Sequence, residues 1–204
     1  YFDSPDQPVD DLKTVFDYIR EQHGEKRYFM VGHSMGSLIT LSFALRYQYE
    51  LNGVISSGTP LNLDSESPGW LLALGRIVGK YLPKVPLVSL ELDALSRDPS
   101  IISDYKADPL VYDRPVRAGM AAFLVDHSVT VRESLYQLRV PLLIMHGGAD
   151  RVTPPSGSQF IMDNAGSPDK TLHIYPDLYH EIFNEPERDL VLSDLVAWLN
   201  AHQP

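Results

Sequence analysis

The chain has 204 residues, 44% hydrophobic and 22% charged, with 17 basic against 27 acidic side chains and a formal net charge of -10. That is enough for one domain with a sizeable core, or one domain with a modest insertion, and the apolar content excludes fibrous and disordered classes. The acidic balance argues against nucleic-acid binding, which needs a basic face, and the lack of cysteine removes disulfides, thiolate chemistry and Cys-ligated metal centres.

Residues 9–22 place Val9, Leu12, Val15, Phe16 and Ile19 on one helical face, with Asp10 and Asp11 early and Gly24 as a stop. Arg27 to Gly32 reads as a buried strand. Ser37 to Tyr49 reads as a helix, with Leu38, Leu41, Ala44 and Leu45 at helical spacing. Gly53 to Ser57 is the next strand. Between Leu61 and Leu138 the rhythm breaks. This interval holds no convincing strand, but two helix candidates, Trp70 to Leu82 and Val116 to Leu138, and the breakers Pro83, Pro86, Pro99 and Pro109. Strand and helix then alternate again: Val140 to His146, Gln159 to Asn164, Lys170 to Tyr175, and a closing helix over Pro186 to His202 carrying Leu190, Leu192, Leu195, Val196 and Leu199.

Short, continuously apolar strands between helices predict an α/β fold with a mostly parallel sheet covered on both faces. Residues 1–61 and 139–204 form its core, and 62–138 a helical cap over the sheet end. No apolar run approaches the ~20 residues needed to cross a bilayer. The chain opens at Tyr1 in mid-pattern, so a true N-terminus is expected upstream.

Gly32-His33-Ser34-Met35-Gly36 matches G-x-S-x-G. The pattern alone is weak; its place between a strand and a helix is the setting of a nucleophile elbow. The turn is too sharp for side chains on either flank, hence the glycines, and it presents the Ser34 hydroxyl at the sheet's carboxyl end. The bland alternative is a serine that caps a helix. A serine needs a general base, and the base an orienting acid. Asp150, past the strand ending at His146, and His180, past the strand ending at Tyr175, follow in the order Ser, acid, His. Asp64 is a rival acid. His146 is the best rival base, although its place at a strand end suggests a structural hydrogen bond. His23, His127 and His202 read as surface helix residues, and His173 lies within a strand. His33 packs beside the site, Asp177 caps or faces water, and Glu181 points elsewhere. The Met35 N–H is the first oxyanion donor. The second normally comes from a loop upstream of the elbow, and no such loop precedes it.

Val31 to Ser37, Ser103 to Leu110, Val140 to Val152 and Tyr175 to Glu181 resemble the α/β-hydrolase superfamily, and more narrowly its monoacylglycerol lipase/lysophospholipase group. The elbow and the Asp150 and His180 segments carry the superfamily likeness; Asp108-Pro109-Leu110 narrows it. The resemblance implies Ser34 as nucleophile, Asp150 as orienting acid, His180 as base and the Met35 N–H in the oxyanion hole. It implies a carboxylic ester substrate, with no cofactor and no metal. Ser37 stands where the group commonly has a second Gly. The family's first strands, with a His-Gly oxyanion loop, have no counterpart here. That leaves an open edge beside residues 27–32 and implies a longer enzyme of about 270–280 residues.

The expected substrate is a single-chain lipid ester such as a monoacylglycerol. Lysophospholipase, thioesterase and broad carboxylesterase activities are the alternatives on the same triad. A non-catalytic binding relative is the alternative from another class. Trp70 to Leu82 is expected either to pack on its own domain or to line an acyl channel and touch a membrane or micelle. Oligomeric state is left open, as is location, with the cytoplasm as the default.

Overall fold

The computed structural model describes residues 4, 6–24, 26–62, 69–89, 91–112 and 114–203, with side chains for all of these except 69–73 and 88. Asp64 and the side chains of Trp70 and Leu71 lie outside this description.

Helix α1 (Gln7–His23) leads to β1 (Phe29–His33), α2 (Met35–Tyr47) and β2 (Gly53–Ser57). The interval before the next sheet strand holds α3 (Gly69–Tyr81), β3 (Pro86–Val88), α4 (Pro99–Ala107), β4 (Val116–Arg117) and α5 (Ala118–Ser134). Then come β5 (Leu142–Gly147), α6 (Ser156–Asn164), β6 (Lys170–Tyr175) and α7 (Arg188–Ala201). Strands β1, β2, β5 and β6 form one parallel sheet in the order β1-β2-β5-β6.

Successive side chains of a strand face opposite ways, so a strand buried on both faces must be apolar throughout. Strand β5 meets this condition over its first four residues, and its buried His146 is satisfied by hydrogen bonds to Ser158 and Thr153. Leu142 and Ile144 join Val9, Phe16, Leu38, Leu41 and Ile161 on one face, while Leu143 and Met145 join Ile182, Val191 and Trp198 on the other. Helices α1, α2, α5 and α6 supply the first layer, and α7 the second. Among the described residues, strand β1 is an edge, paired only with β2, and Val31 on it is 50% exposed.

Several expectations need correction. Strands β3 and β4 pair antiparallel inside the interval read as strandless; three residues and two are too short to show alternation. Helix α4 was also missed, although Asp98 caps it by accepting from the Ser100 N–H at 2.9 Å and Pro99 opens it. On α1, Val15 and Ile19 are exposed while Val9 and Phe16 are buried. On α7 the buried residues are Val191 and Trp198, with Leu190, Leu192 and Val196 exposed, because the helix turns its single aromatic toward the sheet. His127 is buried, not a surface residue: α5 is flanked by both α2 and α3, and the ring meets Ser42 Oγ at 3.3 Å and packs at a tilt against Phe123. Among the described residues, no helix is long and apolar enough to cross a membrane.

Candidate active site

The turn between β1 and α2 holds Ser34 at φ 52°, ψ -124°, the one described non-glycine residue with positive φ. Such a conformation costs a few kcal/mol for an L-residue and persists only where its surroundings enforce it. Here the Ser34 N–H donates to Ser57 O at 2.8 Å, and the Ser37 hydroxyl donates to Ser34 O at 2.6 Å. The Ser34 side chain makes no capping bond to α2, so the helix-cap explanation fails. A Cβ on Gly32 would stand 2.6 Å from Ser37 Cα and 2.6 Å from Thr40 Oγ1, so that position must be bare. Gly36 is different: a Cβ there meets nothing within 4 Å, so the sharpness of the turn demands only the first glycine. The Met35 N–H, first in α2, has no backbone acceptor among the described residues.

His180 and Asp150 come together from two loops at the carboxyl ends of β6 and β5. His180 Nδ1 donates to Asp150 Oδ2 at 2.7 Å. With Nδ1 carrying the proton, Nε2 offers its lone pair. The His180 ring lies 4.8 Å, centroid to centroid, from that of His33, the residue before Ser34. Ser34 thus sits at the same end of the sheet, with no hydrogen bond joining its hydroxyl to His180 in this structure. Such contacts tighten when substrate binds.

Asp150 is almost fully buried, and burial opposes its charge. The N–H groups of His146 and His180, the nearby charge of His180 and the Thr153 N–H outweigh that cost and hold the carboxyl well below its ordinary range. Its Oδ1 accepts from the Val152 N–H at 2.7 Å and the Thr153 N–H at 2.9 Å, and Oδ2 accepts from Thr153 Oγ1 at 2.9 Å. Thr153 was missed at the level of sequence. Its signal was the spacing, since a carboxylate followed two and three residues on by free N–H groups closes an Asx-type turn.

His146 is fully buried and makes the structural bond expected of it, Nδ1 to Ser158 Oγ at 2.6 Å, but it also places Nε2 3.1 Å from Asp150 Oδ2. Glu181 does not point elsewhere. The single turn of 3-10 helix at Ile182–Asn184 and the bond from its own N–H to Leu95 O at 2.8 Å curl the loop back, bringing Glu181 Oε1 within 3.4 Å of His33 Nε2. The two atoms are close but lack hydrogen-bond alignment. Burial opposes the charge of Glu181, and His33, His180 and the Asn184 amide together pull its pKa below the usual value. Asp177 is exposed to water. His33 Nδ1 lies 3.1 Å from Ser57 Oγ, so its ring packs beside the site as expected.

Residues 1–187 match the family model Hydrolase_4, described as serine aminopeptidase, S33. The chain is 37% identical over 194 residues to a monoacylglycerol lipase of Mycolicibacterium smegmatis, covering 95% of this chain and 69% of that one. It is 27% identical over 195 residues to the human monoglyceride lipase, covering 94% and 64%. The crystal structure of Paleococcus ferrophilus monoacylglycerol lipase superimposes with a TM-score of 0.84 at 30% identity, over 96% of this chain and 76% of that one. A parallel sheet flanked by helices, a strained serine at its carboxyl rim and a bonded Asp–His pair from the loops after β5 and β6 agree with these matches, and the chain belongs to the Hydrolase_4 family of α/β-hydrolases.

Proposed function

We propose that this chain is the catalytic part of a carboxylic ester hydrolase of the monoacylglycerol lipase type, working through an acyl-enzyme on esters of single-chain lipids. The observation that carries the reading is the pairing of a serine forced into positive φ with an Asp–His pair at the same sheet rim. Ser34 attacks the ester carbonyl while His180 Nε2 takes its proton, and Asp150 holds His180 in the Nδ1–H form and balances the imidazolium. The carbonyl oxygen becomes an oxyanion facing the Met35 N–H. Collapse expels the alcohol, which takes the proton from His180. Water, deprotonated by the same imidazole, then releases the fatty acid and regenerates Ser34.

Residues 62–138 act as the cap. Its α3 carries Leu74, Ile77 and Tyr81 at helical spacing, all exposed, and Leu82, Val85 and Leu87 continue the apolar surface past the helix end. The opposite side of α3 packs on α5, where Gly79 meets Ala118 and Ala122. A packed inner side and an apolar outer side suit transient contact with a lipid aggregate that holds the substrate.

Ser34→Ala tests the reading: hydrolysis of monoacylglycerol by the full-length protein should fall by about 10⁴-fold or more, and a fluorophosphonate probe should label wild type alone. Substantial residual turnover in the variant removes Ser34 from the mechanism.

A further inference from the structure

Behind the Asp150–His180 pair lies a second histidine that the reaction as described leaves idle. His146 is the penultimate residue of β5, and its side chain is fully buried, as is that of Ser158 on α6. Its two ring nitrogens have unlike neighbours. Nε2 lies 3.1 Å from the Thr153 carbonyl oxygen and 3.1 Å from Asp150 Oδ2. Both of these atoms accept only, and the third neighbour, Thr153 Oγ1 at 3.4 Å, gives its proton to Asp150 Oδ2, so Nε2 carries a proton. Nδ1 lies 2.6 Å from Ser158 Oγ, whose hydroxyl supplies the donor that an unprotonated Nδ1 requires. Asp150 Oδ2 therefore stands between two imidazoles held as opposite tautomers: His180 donates to it from Nδ1, while His146 Nε2–H donates to the Thr153 carbonyl and lies against Oδ2 at 3.1 Å without hydrogen-bond alignment. The charged group touching His146 is Asp150, with His180 beyond it.

We infer that His146 is a positioning residue for the hydrolysis proposed above: fixed as its Nε2–H tautomer by Ser158, it holds the Thr153 carbonyl by a hydrogen bond and sets its N–H edge against Asp150 Oδ2, so that the carboxylate stays turned toward His180. The inference rests on Asp150 and His180 acting as proposed. Asp150 Oδ1 is held by two backbone N–H groups of its own loop. What fixes Oδ2, apart from His180 itself, is the Thr153 hydroxyl and this buried ring. Without the ring, the carboxylate shares a cavity with nothing on that side, and its alignment with His180 relaxes. His146 touches neither substrate nor the reacting atoms, so its loss should slow the chemistry and leave substrate binding alone.

The test uses the full-length protein with a soluble p-nitrophenyl ester. For His146→Leu, kcat should fall about tenfold, the size of one lost buried hydrogen bond, here the one that holds the Thr153 carbonyl, with KM within twofold of wild type. His146→Gln, which keeps a donor at the same reach, should recover most of that loss. Ser158→Ala, a small change expected to fold whatever His146→Leu does, should lower kcat in the same direction and leave KM unmoved. Nitrogen-15 chemical shifts of the wild type should give Nε2–H for His146 and Nδ1–H for His180. An unchanged kcat in both His146→Leu and Ser158→Ala overturns the inference, and so does an Nδ1–H tautomer at His146. If His146→Leu fails to fold, Ser158→Ala and the tautomer measurement decide. Fluorophosphonate labelling of Ser34 and the Ser34→Ala control are run alongside. Should they fail, the mechanism itself is wrong; should they hold while kcat ignores His146 and Ser158, only the positioning role is wrong.

Discussion

Gly147 lies so close to the backbone of Tyr179 and Leu178 that a Cβ on it would overlap both carbonyl oxygens and stand 2.8 Å from the Leu178 carbonyl carbon. Two loops from neighbouring strands thus meet backbone to backbone, and the contact is what sets Asp150 beside His180. The Ala149 N–H donates to Leu178 O at 3.0 Å and the Gly148 N–H to Tyr175 O at 2.6 Å, closing the same seam. Gly147→Ala should force the loops apart. Overpacking of this kind costs about 1–3 kcal/mol, visible as a lowered urea midpoint. Turnover should fall further than that loss of folded protein explains, because the Asp150–His180 distance opens. A variant with wild-type kcat would show that the seam does not set the pair.

Glu185 anchors the other side of the His180 loop. It is 1% exposed and accepts from the Arg97 N–H at 3.1 Å, Arg97 Nε at 2.9 Å and the Tyr179 N–H at 3.0 Å. The Ser96 hydroxyl adds a bond to Asn184 O at 3.1 Å. Glu185→Ala strands these donors. Because Arg97 remains partly exposed and can rehydrate, the expected loss is about 2 kcal/mol, less than for a fully buried pair. Chemical denaturation measures it; Glu185→Gln, which keeps acceptor capacity, should lose less.

Acid should destabilise the protein through its site. Asp150 and Glu181 both have folded-state pKa values below their ordinary ones. A depressed carboxylate contributes stability that is present above its unfolded pKa and lost as pH falls toward the folded value. Melting temperature should therefore decline progressively below about pH 4, where free carboxylates begin to protonate. Asp150→Asn should be less stable near neutrality and show a shallower decline. Parallel curves for the two proteins would mean that Asp150 contributes nothing to the acid limb.

The exposed stripe of α3 predicts a split between two substrate forms. Replacing Leu74 and Ile77 together by Ser should weaken co-sedimentation with phospholipid vesicles and lower activity on emulsified monoacylglycerol. Activity on a soluble short-chain ester should stay within about twofold, since surface changes seldom exceed 0.5 kcal/mol. Equal losses on both substrates would place these residues in the domain's packing and not on a lipid-facing surface.

The placement of Ser34, Asp150 and His180 at one rim of the sheet was legible in the sequence because each lies past the end of an apolar strand, and strand ends at the carboxyl rim of a parallel sheet lie together whatever the intervening helices do. The strands Gly53–Ser57 and Lys170–Tyr175 were readable to the residue for a related reason: burial on both faces or strong β-former content leaves little ambiguity. What only the tertiary structure decided was which atoms of those loops touch. The second imidazole on Asp150, the return of Glu181 to His33, the burial of His127 and the face α7 turns inward all depend on elements distant in the chain. Periodicity reports how one segment divides between apolar and polar sides, but which side is covered, and by whom, is settled only when the layers pack.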